Sequence, residues 1–147
     1  MQSEFDYLQT TEPKTTLHTF TVFPENLNYG GTLFGGKVLA EMDIAAANTV
    51  RRLLYNLEYD TIVTASLDKV DFIAPGVLGD IIEMRSRLVS AGRTSMAINV
   101  TVQKEDTKGK ITRICEARFT FVVLKNGKPL PHNLVLSGEI IPAPSEN

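Results

Sequence analysis

Tryptophan is absent from the 147 residues, cysteine occurs once (Cys115) and histidine twice (His18, His132). A single cysteine excludes an intramolecular disulfide framework, and no His, Cys or carboxylate cluster stands at metal-ligand spacing, so neither a metal nor another cofactor is expected. No apolar run approaches the roughly 20 residues of a membrane helix, and no signal-peptide pattern is present; the expectation is a cytoplasmic protein with no membrane contact. Basic residues form no runs, and a net charge of −2 gives no reason to expect nucleic acid as a partner. Length and 43% hydrophobic content fit one globular domain. The pattern divides the chain into a polar leader at 1–14, a domain at 15–131 and a Pro-containing tail at 132–147, where His132 is expected to be exposed.

What the sequence does have is one long helical pattern fed by a glycine-rich loop, from Asn28 to Leu57. Val38, Leu39, Met42, Ala45, Ala46, Val50, Leu53, Leu54 and Leu57 follow the i, i+3, i+4 recurrence of a one-sided helix. From Gly35 to Leu57 such a helix would be roughly 33 Å long, enough to cross a small sheet. Turning about 100° per residue places Asp43 between Val50 and Leu54, inside the apolar arc, with Glu41, Asn48, Arg51 and Arg52 toward water. A carboxylate is kept in such a place when it is paired, hydrogen-bonded or used. Periodicity alone leaves a structural and a functional Asp43 both open.

Gly30, Gly31, Gly35 and Gly36 surround Thr32-Leu33-Phe34, a heavy entropic load for a loop that only packs. A helix's first turn presents unpaired N–H groups at the positive end of its dipole, and glycine lets a carbonyl oxygen approach them. Gly35 and Asp43 would lie about 12 Å apart along the axis, too far to act on one atom unless a second, antiparallel helix packs alongside. That spacing asks for a dimer. Gly31, Gly36 and Lys37 also fit G-x-x-x-x-G-K, but Val38 replaces the Ser or Thr that would hold magnesium, and no apolar strand feeds directly into Gly31.

Strand patterns are expected at 15–23, 61–72, 80–91, 94–105 and 110–124, with a bulge near Asp68 and Lys69 and a tight turn at Gly92-Arg93. His18 reads as a strand-face residue and Cys115 as core. One helix and five hairpin-joined strands give an α+β domain, an antiparallel sheet curling around a central helix.

Asn28-x-x-Gly31-x-x-Phe34-Gly35-Gly36 with Met42-Asp43, then Val70-Asp71-Phe72-Ile73-Ala74-Pro75-Gly76, Gly79-Asp80, Gly92-Arg93-Thr94-Ser95-Met96 and Gly127-Lys128-Pro129, resembles the hotdog-fold acyl-CoA thioesterases, in particular the acyl-CoA hydrolase group of bacterial single-hotdog enzymes. The resemblance spans Thr15 to Pro131. It implies a five-stranded antiparallel sheet around one long helix, hydrolysis of acyl-CoA to a free acid and coenzyme A, and an active site shared by two subunits of a homodimer, itself part of a hexamer. Asp43 would be the catalytic carboxylate, as nucleophile or general base, and Gly35 the backbone oxyanion donor. Asn28 would orient substrate or water, although a turn role for it stays open. Gly36 and Phe34 would lie against the substrate. Phe34 stands where many relatives outside this group have His, which argues against a His-assisted dehydratase; Thr32 stands where some carry Asn or Asp.

Coenzyme A needs cations or backbone donors for its phosphates. Arg93, Thr94 and Ser95, with Lys125 or Lys128, are the candidates; a solvated hairpin is the plainer alternative. A non-catalytic acyl-CoA sensor is the rival function. Asp43 separates the two, because a sensor gains nothing from an acid aimed at the thioester carbonyl.

Overall fold

The computed structural model describes residues 15–132. Its strands are β1 (Thr15–Thr21), β2 (Thr61–Phe72), β3 (Ile81–Ala91), β4 (Ser95–Glu105), β5 (Ile111–Lys125) and β6 (Lys128–Pro129), and its long helix is α1 (Gly35–Leu53). The five expected strands are all present; β6 is a sixth, two residues long. It forms because Asn126 takes a positive φ of 54° and Gly127 one of 74°, a tight turn that folds Lys128 back onto Lys125. The leader at 1–14 and the tail beyond His132 lie outside the described residues.

The antiparallel sheet runs β1-β3-β4-β5-β2, with β6 on β5. Leu124 pairs with Thr61 on one side and Pro129 on the other, so β6 takes up the edge of β5 beyond the point where β4 begins. The inward faces of β4 and β5 bury Met96, Ile98, Val100, Val102, Cys115, Ala117, Phe119, Phe121 and Val123, following the period of two for a half-buried strand. Against them α1 lays Val38, Met42, Ala45, Ala46, Val50 and Leu53, and the hydrophobic effect holds helix to sheet. Thr49 is wholly buried on the same stripe. Its hydroxyl is satisfied by those of Thr16 on β1 and Ser86 on β3, each at 2.7 Å, so the one fully buried polar side chain of the helix ties α1 to two strands.

Two expectations change here. The helix stops at Leu53 instead of Leu57 because Leu54 leaves helical geometry (φ −103°, ψ 12°) while its N–H still bonds Val50; that turn keeps Leu54 buried as the chain reverses. Glu41, placed toward water by the helical wheel, is largely covered, because His18 and Lys37 each reach a carboxylate oxygen at 2.6 Å.

β2 is one of the sheet's two edge strands, opposite β1, and it is poorly covered. Its register slips between Thr64 and Ser66 and again between Asp68 and Asp71, the second at the expected bulge, where Lys69 has φ 53°. Leu67 and Phe72 sit opposite the core residues Phe119 and Cys115, yet remain 39% and 56% exposed. The helix reaches β2 through the bond between Thr64 and Asp43 but leaves these two side chains exposed.

Candidate functional site

At the start of α1, Leu33 N–H donates to the Gly76 carbonyl at 2.8 Å and Phe34 N–H to the Asn26 carbonyl at 2.9 Å. The first bond pins the glycine loop to the turn after β2, and the second to the short 3-10 turn at Pro24–Asn26 that precedes it. Phe34 caps the helix with extended backbone and no side-chain bond; Lys37 and Val38 N–H groups both take the Phe34 carbonyl. The N–H groups of Gly35 and Gly36 therefore have no hydrogen-bond partner among the described residues, and they point out of the positive end of the helix dipole.

A cavity of about 300 Å³ opens beside them, lined by Leu33, Gly35, Val38, Phe72, Ile114 and Cys115 among others. The lining is apolar, suited to a hydrocarbon chain. A Cβ on Gly35 would meet the Phe72 ring at 3.5 Å, and one on Gly36 would run into the Phe34 ring at 2.6 Å; Phe34 folds over its own helix start. Cys115 is in the wall, its thiol pushed up to about 11 by burial, so it is an inert surface and no nucleophile at neutral pH.

Asn28 shapes the loop. Its Oδ1 accepts the N–H groups of Gly30 (2.9 Å) and Thr32 (3.1 Å), and its Nδ2 donates to the Thr32 hydroxyl at 3.0 Å. Of the two roles left open by the sequence, the turn role is thus realised. Thr32, singled out as a departure from relatives, is Asn28's partner.

Asp43 lies elsewhere. It is half-buried on α1, and Thr64 Oγ1 on β2 donates to its Oδ1 at 2.8 Å. Sequence reasoning missed Thr64. Its parity with Ile62, on the strand face opposite the core residues of β5, was the available signal, and the slip at Ala65 obscures it. Thr64 stands level with Phe121 and Met96 across the sheet, near the turn that joins β3 to β4; Phe72 stands level with Cys115 and Val102, near the other end.

That turn carries the remaining candidates. Arg93 is exposed and Thr94 half-buried, but Ser95 is only 2% exposed, and its carbonyl serves the turn by accepting the Gly92 N–H at 3.0 Å. Lys128 is exposed on β6 alongside, while Lys125 is 3.5 Å from Glu58. His132, expected to be exposed, is buried at 7%, because its backbone N–H and its ring both bond this turn. Burial holds the imidazole below its ordinary range, against the pull of the Ser95 and Gly92 backbone. His18 is confirmed on its strand face; the Lys37 ammonium, and less strongly His18, hold the Glu41 carboxyl below its usual range despite the cost of burial.

One chain thus presents two separate groups of residues: free amides and an apolar cavity at the start of α1, and a carboxylate with a hydroxyl two turns along, near a cationic turn.

Residues 30–111 match the model of the thioesterase superfamily. The chain is 38% identical over 119 residues to an uncharacterized acyl-CoA thioester hydrolase, YkhA, of Bacillus subtilis, an alignment covering 77% of this chain and 64% of that protein. It is 28% identical over 127 residues to the acyl-CoA thioester hydrolase YciA of Salmonella typhimurium, covering 83% and 92%. Among solved structures it resembles an apo-hexameric acyl-CoA thioesterase, with a TM-score of 0.75 and 37% identity over 82% of this chain and 76% of that one. It also resembles the acyl-CoA hydrolase of Staphylococcus aureus in complex with butyryl coenzyme A, coenzyme A and coenzyme A disulfide, with a TM-score of 0.73 and 32% identity over 82% and 73%. The chain belongs to the thioesterase superfamily and, within it, to the hotdog-fold acyl-CoA thioesterases.

Proposed function

We propose that the protein hydrolyses acyl-CoA thioesters to a free carboxylic acid and coenzyme A, at a site shared by two antiparallel copies of the chain. The observation that carries this reading is the separation of the two groups. Gly35 and Asp43 are about 12 Å apart along α1, whereas nucleophile and oxyanion donor must both come within about 3 Å of one carbonyl. The uncovered β2 edge, with Leu67 and Phe72 exposed, is where a second copy would pair and cover apolar surface. Two-fold symmetry across it brings the Asp43 of one chain to the Gly35 of the other. Hexameric acyl-CoA thioesterases among the solved relatives support assembly beyond the dimer, and Ile44, 48% exposed on α1, gives a further subunit an apolar contact.

In this site the acyl chain enters the cavity and the thioester oxygen takes the Gly35 N–H, with Gly36 beside it and the Phe34 ring against the acyl group. Asp43, held by Thr64, either takes a proton from the water that attacks the carbonyl carbon and passes it to the leaving sulfur, or attacks that carbon itself to give a mixed anhydride that water then hydrolyses, the water supplying the proton for the sulfur; in either route the C–S bond breaks and coenzyme A leaves as the thiol. Arg93, Thr94 and Lys128 face the nucleotide phosphates. Coenzyme A enters as part of the substrate, and the reaction asks for no further cofactor. Among the described residues no helix is long and apolar enough to cross a membrane, and a cytoplasmic setting agrees with the substrate.

The test is release of free thiol from acyl-CoAs of graded chain length by the wild type and by Asp43→Ala. Turnover by the wild type with loss of about 10²-fold or more in the variant is expected. Binding without thiol release would make the protein a sensor, and a fully active variant would remove Asp43 from the chemistry.

A further inference from the structure

The turn between β3 and β4 is held from outside its own hairpin. His132 N–H donates to the Arg93 carbonyl at 3.2 Å, and the imidazole Nε2 lies 2.9 Å from the Ser95 carbonyl oxygen, to which it donates. The Gly92 backbone bonds the same ring. Val123 N–H takes the Thr94 carbonyl at 3.1 Å, and Leu130 N–H takes the Val123 carbonyl at 2.8 Å. The stretch from Lys128 to His132 is therefore a strap lying across the end of β5, fastened to the turn by its last residue.

The polarity of these bonds has a consequence for ligands. The carbonyl oxygens of Arg93, Thr94 and Ser95, the negative ends of their peptide dipoles, are all engaged by the strap, β5 or the turn itself. The N–H groups of Arg93 and Thr94 have no partner among the described residues, and the exposed Arg93 side chain makes no ion pair among them. A turn whose carbonyls are taken up while two successive amides stay unpaired beside a cationic side chain is suited to an anion. A leucine or phenylalanine would fill the His132 pocket without the desolvation cost of an imidazole, but could not donate to the Ser95 carbonyl.

We propose that His132 is a positioning residue for the coenzyme A end of the substrate: its clamp on the Ser95 and Arg93 carbonyls fixes the turn so that the Arg93 and Thr94 amides and the Arg93 guanidinium meet the nucleotide phosphates, with Lys128 supplied by the same strap. The proposal rests on the thioesterase reading above. It assigns His132 to nucleotide affinity alone, remote from bond cleavage, and that separation is measurable.

The experiment compares an acyl-CoA with the same acyl group on pantetheine, which lacks the nucleotide, for the wild type, His132→Leu, His132→Gln and Arg93→Ala. His132→Leu should raise KM for the acyl-CoA about tenfold, the effect of losing the side-chain hydrogen bond that holds the Ser95 carbonyl from outside the turn, with kcat changed less than about twofold and acyl-pantetheine turnover unaltered. His132→Gln, whose amide N–H can occupy the Nε2 position, should restore most of the loss. Should the leucine variant not fold, His132→Asn, too short to reach the Ser95 carbonyl, takes its place. Equal losses on both substrates, equal losses in the leucine and glutamine variants, or an unchanged KM would overturn the role. If Arg93→Ala leaves the acyl-CoA KM unchanged, the phosphate reading of the turn falls and the proposal with it; if Arg93→Ala raises KM and His132→Leu does not, the reading stands and His132 alone is overturned.

Discussion

Thr64 on the edge strand donates its hydroxyl hydrogen to Asp43 on the helix, 2.8 Å away and 21 residues back in the chain. One carboxylate oxygen is thereby occupied, leaving the other for the chemistry proposed for Asp43. Thr64→Val removes the donor and keeps the shape. We expect kcat to fall about tenfold, the cost of one hydrogen bond to a charged group, and Thr64→Ser to recover most of it. In the Asp43→Ala background the same change should cost little, because both residues act through one group. A Thr64→Val enzyme of full activity would detach the hydroxyl from the reaction.

Gly35 and Gly31 should respond oppositely to the same substitution. At Gly35 a methyl meets the Phe72 ring at an ordinary 3.5 Å, so Gly35→Ala should fold with stability within about 1 kcal/mol of wild type. In the proposed site the methyl would stand in the path of the thioester, and kcat/KM should fall about ten- to a hundredfold. Gly31 has φ +86° with open space around it; Gly31→Ala should lower stability by about 1 kcal/mol through backbone strain and leave the specific activity of folded enzyme nearly intact. Urea midpoints and thiol release, measured together, separate the two.

The contrast between residues also shows what a sequence can display. Val38, Met42, Ala45 and Val50 announced α1 because helix burial repeats every 3.6 residues, and Met96 to Val102 announced β4 because strand burial alternates. The glycine loop was legible since four glycines in so short a stretch have few other uses. Thr64 was not, because pairing with Asp43 depends on strand register, which the slips after Thr64 and Asp68 shift locally. The burial of His132 is not legible either, because a polar tail carries no periodic mark of the strap that buries it. Glu41 was misplaced for a similar reason: its partner His18 comes from another element, and a helical wheel knows nothing of neighbours.

Glu41 makes stability depend on acid. Its folded carboxyl is held below the ordinary 4.5, chiefly by the hydrogen bond to Lys37, so the paired, ionised form contributes fully above that value. As pH falls through 4.5 the unfolded chain takes up the proton first, and the contribution fades as pH passes the lower folded value. Glu41→Gln should therefore be about 1 kcal/mol less stable than wild type near neutrality, with the gap closing as pH falls through the lowered folded value. A gap that stays constant from neutral to acid pH would assign the loss to packing.

A site divided between two chains can be rebuilt from two dead enzymes. Asp43→Ala removes the acid half and leaves the cavity; Gly35→Val blocks the approach to the amide and leaves the acid. Each homodimer should be nearly inactive, since each of its sites lacks one half. In a mixed dimer one site receives both faults, while the other combines the intact Asp43 of one chain with the intact Gly35 of its partner. Random exchange of equal amounts, reached by unfolding and refolding the mixture together, should therefore restore about a quarter of wild-type activity. Activity should appear on co-refolding and remain absent when the separately refolded proteins are combined without exchange. If co-refolding restores nothing while native gels show mixed dimers, both halves act within one chain, and the 12 Å separation along α1 would have to be bridged by a rearrangement of the helix start.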